Sequence, residues 1–260
     1  MESLTKRVTA LAVCICSLVL ATDALAQVIE DDWEFAEDAT RKLTVAAVRY
    51  DSGNAIIVQC TGEELKVVLI GLPATTATIR TLDATRSNGA TDLQAWQVSE
   101  GQTLVSRVPA RDARFLRSGG DLSLRSTAGQ AAPVTASFDL PTQHANLDRV
   151  IAACGYVVED DRDSVLRADP NLRLARAPAE YTTGGQAGRS LEVSCLIQGG
   201  AYQQCRAHHR LQGQSEASAR REAARLNGTR LHRDDAAANE GRVAYINVPM
   251  LTVVRLEEIG

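Results

Sequence analysis

The N-terminal stretch constrains the fold most, because it sets the compartment in which the chain must fold. Lys6 and Arg7 precede an apolar run over residues 8–21, and the small residues Ala24 and Ala26 stand just before Gln27. A basic start, a short apolar core and a small-residue cleavage site describe a secretory signal peptide over residues 1–26. The run falls short of the ~20 apolar residues of a membrane span, and Asp23 follows it closely. Cys14 follows Leu11-Ala12-Val13, and the β-branched Val13 suits lipoprotein processing poorly. Cleavage after Ala26 leaves about 230 residues, enough for one large or two small domains. The competing expectation is an uncleaved anchor that tethers the chain to a membrane.

In an oxidising compartment the cysteines read as staples. Of six cysteines, Cys60, Cys154, Cys195 and Cys205 remain after cleavage. Residues 191–195 alternate like a strand, residues 202–206 form a second, and Gln198-Gly199-Gly200-Ala201 between them is a hairpin signal. A three-residue loop over 199–201 sets Cys195 opposite Cys205, where a non-hydrogen-bonded antiparallel pair is close enough for a bridge. That leaves Cys60 for Cys154. No CxxC or HxxxH spacing suggests zinc instead.

Elsewhere the first half reads as β-rich. Strands are expected over 43–50, 55–60 and 65–72, an antiparallel meander with turns at Asp51-Ser52-Gly53-Asn54 and Thr61-Gly62-Glu63. Further strands are expected over 76–82, 95–98, 103–108, 121–126 and 134–139, with a short helix over 110–117. Leu147, Val150, Ile151 and Cys154 recur at i, i+3, i+4 and i+7, one face of a helix, with Gly155 at its C-terminal end. This helix should close a sandwich-like domain over 27–155 and aim Cys154 at its core. Residues 156–186 read mainly as linker, with one irregular segment that can pack on a domain. From 187 to 260 the order is β-β-α-β: the cysteine hairpin, an Ala-rich helix over 216–226 with Ser215 as N-cap, a loop over 232–239, and a long strand over 242–254. The fold class expected is α+β.

That second unit resembles the C-terminal domain of TonB-type energy transducers. The resemblance covers about residues 188–254, a quarter of the chain, and is carried by strand 191–197, the turn at Gly199-Gly200, Cys205-Arg206-Ala207, the helix with Ala219, Ala223 and Ala224, and Gly241-Arg242-Val243 leading into the last strand. It is most similar to diverged TonB-C-like domains of secreted bacterial proteins, which carry the same pair of hairpin cysteines. The chain has only 7 Pro and no Pro-rich spacer, so the resemblance implies a binding fold and not a motor. It implies that a partner peptide adds as a strand along the last strand's edge, at Val243, Tyr245 and Asn247. The competing uses of that edge are an internal pairing or a cap made by a second copy in a homodimer. The first unit loosely resembles β-sandwich domains of exported bacterial accessory proteins, including type VI secretion accessory and invasion-associated families, and no residues carry over.

Net charge of -4 argues against nucleic acid, whose phosphates call for a basic face. There is no Gly-x-Ser-x-Gly elbow and no Gly-x-Gly-x-x-Gly or phosphate loop. His208-His209 is the only histidine pair, and neighbours on a strand point to opposite faces. The acidic run 159–163 lacks the Gly and closing Glu of a calcium loop. No catalytic residue, cofactor or metal is expected. Trp33, Trp96 and Tyr245 are the aromatic contact candidates, with both Trp residues read as core. The expected function is a periplasmic or secreted, non-enzymatic protein that binds an envelope protein or peptide, as an accessory of envelope transport. The alternatives are a membrane-tethered transducer, with membrane contact only if the signal is kept, and a hydrolase-like enzyme with an unrecognised carboxylate site.

Overall fold

Alternating apolar residues between tight turns build most of the chain into antiparallel sheet. The computed structural model describes residues 31–99, 102–127, 132–175, 190–209 and 214–249. The signal-peptide reading, part of the expected linker and the end of the last strand lie outside these residues. From Asp31 onward the chain forms one compact unit, built around an α+β arrangement of two sheets.

The first sheet has nine strands: β1 (Glu34–Asp38), β2 (Leu43–Arg49), β3 (Ala55–Thr61), β4 (Glu64–Ile70), β5 (Ile79–Arg86), β6 (Thr91–Ser99), β7 (Thr103–Ser106), β8 (Gly120–Ser126) and β9 (Thr135–Leu140). Their order is β1-β2-β3-β4-β7-β6-β5-β8-β9, one continuous antiparallel sheet. The expected meander is β2-β3-β4. β1 was not expected, because its sequence Glu-Phe-Ala-Glu-Asp is polar and mostly exposed. The strand expected over 76–82 begins later and runs further. Arg80 and Arg86 take inward positions that the apolar alternation would give to Leu or Val, and each ends on backbone carbonyls, Arg80 on Pro73 (2.8 Å) and Ala132 (3.1 Å), Arg86 on Phe115 (3.2 Å) and Gly119.

The sheet curls so that the residue after β2 reaches β9 and the residues flanking its two edge strands meet. The Gln143 amide donates to the Asp31 carbonyl at 2.8 Å, and the Tyr50 ring lies 5.2 Å from Phe138 with its hydroxyl donating to the Asp139 carbonyl at 3.1 Å. Between β7 and β8 sits α1 (Pro109–Phe115), opened by Pro109 where a missing N–H costs nothing. After β9 comes α2 (Ala145–Ala153), which buries Leu147, Val150 and Ile151 in the first core, worth about 2 kcal/mol each. Its other flank follows the edge of β1: Asn146 Nδ2 donates to the Trp33 carbonyl at 2.9 Å, and the Arg149 guanidinium lies 3.8 Å from the centre of the Phe35 ring. Covering an edge with a helix protects it from pairing with another chain.

The second sheet holds β10 (Ser190–Gln198), β11 (Ala201–Ala207) and β12 (Val243–Pro249) in the order β11-β10-β12. Leu191, Val193, Cys195 and Ile197 of β10 face α3 (Glu216–Ala224), whose Ala219 and Ala223 let the helix lie close. Ser215 caps α3, its side chain accepting from the Ser218 amide. Residues 232–239, expected as a loop, contain α4 (Arg233–Ala238). Asp234 and Asp235 in its first turn and the three following alanines favour a helix that the charged sequence disguises.

The segment expected as linker is folded where it is described. Asp161–Ser164 form a 3-10 turn, and residues 166–168 pair with Val243 in parallel. Trp33 and Trp96 are buried in the first core, at 1 % and 2 % exposure.

Candidate functional site: the last strand and the buried interface

The four cysteines form two disulfides, Cys60–Cys154 and Cys195–Cys205. Cys60 comes from β3 and Cys154 from the end of α2, so the first bridge ties the helix to the sheet. The second forms by a different local route from the one expected. Gln198 pairs with Ala201, so the loop is the two residues Gly199-Gly200, both at positive φ (60° and 73°). That is the backbone a two-residue hairpin prefers. The extra residue enters further along, where the register shifts between Ser194 and Leu196 and Gln204 stands at φ 50°. This bulge, not a longer loop, brings Cys205 level with Cys195.

β12 presents its outward edge at alternate residues. The Val243 amide donates to the Leu166 carbonyl at 2.9 Å, and the Ala168 amide donates to the Val243 carbonyl at 2.8 Å. By the period of two, Tyr245 and Asn247 also point their N–H and C=O outward. The next bond of the parallel ladder, from the Tyr245 amide to the Ala168 carbonyl, is not made, and the one after it would need an N–H from residue 170, which is Pro. The chain turns away there, with the Asp169 amide donating to Asn239 Oδ1 at 2.9 Å. Pro249 brings no donor at the far end. Among the described residues the open edge is therefore Tyr245 and Asn247. Val243, expected as part of that edge, is closed: it is fully buried and its main chain is already paired.

The side chains of the same residues face the first half of the molecule. The Tyr245 ring lies 5.5 Å from the Arg111 guanidinium, 5.6 Å from that of Arg167, and stacks on His208 at 5.5 Å. Burial pushes the Tyr245 hydroxyl up to about 12, against the nearby Arg111. Asn247 Nδ2 donates to the Arg107 carbonyl at 2.9 Å.

Around Tyr245 lies a buried ionic interface that sequence patterns did not reveal. Arg167 Nη2 donates to Asp92 Oδ2 at 2.7 Å and also to Asp112. Burial works against the Arg167 charge, but Asp112 and Asp92 outweigh it and hold the guanidinium charged above its ordinary range. Arg111 pairs with Asp92 (3.1 Å) and donates to the carbonyls of Arg162 (3.2 Å) and Val165 (2.9 Å). Arg114 holds Asp163 through two bonds, at 2.5 and 3.0 Å. Arg162 reaches across to the Ser194 carbonyl (2.6 Å) and hydroxyl (2.7 Å) on β10. His208 Nδ1 lies 3.0 Å from Asp160, whose carboxyl is held low despite burial by His208 and the Arg162 amide. Glu192, on β10, is 2 % exposed and neither carboxyl oxygen has a hydrogen-bond partner; burial pushes its carboxyl up. The neighbouring His209 ring lies 4.6 Å from Tyr156, and burial, aided by His208, brings it down to about 4.

A separate cleft of about 220 Å³ opens beside Cys60, rimmed by Glu37, Asp38, Lys42, Glu63 and Ala153. It holds neither Asp112 nor Glu192, the buried carboxyl groups that burial pushes up. Among the described residues no group of three or more His, Cys, Asp or Glu is arranged to hold a metal ion, and no helix is long and apolar enough to cross a membrane. No protein-family model matches the chain, and no curated protein or solved structure matches it.

Proposed function

We propose that this chain is an exported, non-enzymatic binding protein of the cell envelope that receives an extended protein segment along the edge of β12, an accessory part in envelope transport. The observation that carries the reading is the two-residue gap in the pairing of that edge, bounded by Val243 on one side and Pro249 on the other. The two disulfides fit export. The order β10-β11-α3-α4-β12 supports the TonB-C-like reading of the second sheet, with α4 as an addition. The near-complete burial of Asp112 and Glu192 favours a structural use of these carboxyls over a catalytic one.

The edge alone gives modest affinity. The N–H and C=O groups of Tyr245 and Asn247, at about 1 kcal/mol net each, correspond to a dissociation constant of about 1 mM. Selectivity must then come from side chains. Leu166, which gives its carbonyl to Val243, leaves its own side chain 58 % exposed at the closed end of the edge and offers an apolar contact.

The test replaces Asn247. Asn247→Pro removes the outward N–H and leaves the pairing of β12 with β10 in place, while Asn247→Ala removes only the side-chain bond to Arg107. In envelope crosslinking with the full chain, the Ala variant should retain the partner captured by the parent chain and the Pro variant should lose it. Equal capture by all three contradicts strand addition at this edge.

A further inference from the structure

Glu192 stands out among the buried ions because nothing answers its charge directly. Around it, Arg111, Arg114, Arg162, Arg167 and Arg206 are matched in number by Asp92, Asp112, Asp160, Asp161 and Asp163. Glu192 comes in addition to that balance. It sits on the central strand of the second sheet, on the face turned toward the first half, since its β10 neighbours Leu191 and Val193 face α3. His208 is its cross-strand neighbour, the His208 amide donating to the Glu192 carbonyl at 3.0 Å. The charged and titratable groups that face it are His208 from β11, Asp112 and Arg114 from α1, and Arg167 and Tyr156 from the segment between the halves; on β12 its partner is the uncharged Asn247. Asp112 is equally buried, but it accepts from Ser106 and pairs with Arg167, whereas both Glu192 oxygens are unpartnered.

We propose that the interface between the two halves is proton-gated: it is closed while Glu192 is protonated, and loss of that proton releases the second sheet from the first half. A carboxylate left charged and unpaired in such a site is costly, and separating the halves is what lets water reach it. Among the contacts that would part are the Arg162 bonds to Ser194, the pairs of Asp160 with Arg206 and His208, the Asn247 bond to Arg107, and the pairing of Val243 with residues 166–168. Freeing Val243 extends the open edge of β12 from Tyr245 and Asn247 to a third residue. That last consequence rests on the reading of β12 as a binding edge; the gate itself does not.

The direction follows from burial. A carboxyl raised by desolvation favours the closed state at low pH, and that contribution is lost as pH rises through its raised value. The test is amide exchange in the full oxidised chain without any partner, corrected for intrinsic exchange, from about pH 6 to about pH 9. Protection at Val243 and Ala168 should fall by up to about tenfold per pH unit between the ordinary carboxyl range and the raised value of Glu192, and level off above it, while Val58 in the first core stays protected. In Glu192→Gln, or in Glu192→Met if the amide variant does not fold, protection at Val243 and Ala168 should show no fall as pH rises over the same range. A pH-independent parent chain, an equal fall at Val58, or a fall that persists in the Glu192 variants and disappears in Asp112→Asn overturns the gate. Because no partner is present, failure here leaves the Asn247 crosslinking result standing on its own.

Discussion

Arg167 donates to Asp92 at 2.7 Å although 75 residues separate them, and the residues flanking Arg167 pair by main chain with Val243 of β12. One residue thus ties strand β6 of the first sheet to the last strand of the second. Within the stretch read as linker, the described segment around Arg167 is packed and is itself part of the interface.

Removing Arg167 should therefore cost more than a surface ion pair. Arg167→Ala leaves Asp92 and Asp112 facing each other without their shared cation, at 1 % side-chain exposure each. The expected loss is about 3–5 kcal/mol, read as a fall in the urea midpoint. Arg167→Met combined with Asp112→Asn removes one charge of each sign, leaves Asp92 paired with Arg111, and should recover much of it.

The two disulfides should differ in weight. In the chain-entropy treatment the Cys60–Cys154 bridge, with sequence separation 94, is worth about 5 kcal/mol, and Cys195–Cys205, with separation 10, about 3 kcal/mol. Denaturant unfolding of the Cys60→Ser/Cys154→Ser and Cys195→Ser/Cys205→Ser pairs should rank them in that order.

The bulge at Gln204 makes a testable local statement. Gln204 holds φ 50°, a conformation that glycine adopts without the Cβ penalty. Gln204→Gly should stabilise the chain by about 0.5–1 kcal/mol, seen as a higher melting temperature with the Cys195–Cys205 bridge intact.

Acid stability should depend on His209. Its folded-state value near 4 lies below the ordinary 6.5, so the neutral ring stabilises the fold fully above pH 6.5 and that contribution is lost as pH falls toward 4. The amount at stake is about 3 kcal/mol. His209→Phe, which keeps a ring against Tyr156, should flatten the stability profile between those values.

The legible parts of this fold are those written in apolar periodicity. Residues 147–154 show a helix face because three aliphatic residues and Cys154 must all meet one core, and the hairpin that pairs Cys195 with Cys205 is legible from its glycines, although its two-residue turn and the compensating bulge at Gln204 are not. The parts that escape are polar. Arg80 and Arg86 look like surface residues yet lie inside β5, and the interface around Arg167, Asp92 and Glu192 draws charged residues from β6, α1, the supposed linker and β10. Nothing in their spacing shows that they meet, because each is brought by a different element. α4 hides for a related reason, since its acidic N-terminus reads as a solvated loop. The edge residues Tyr245 and Asn247 are named by a family resemblance, but only the backbone shows that Val243 is already taken and that the chain turns away after Ala168 and leaves the other two open.

The most direct measurement is residue-resolved amide exchange of β12 in the free, oxidised chain. The account predicts slow exchange at Val243, Ala244 and Ile246, whose N–H groups are paired within the molecule, and fast exchange at Tyr245 and Asn247. Protection at Tyr245 and Asn247 equal to that at Val243 would mean the edge is already occupied and would contradict its use as a binding strand.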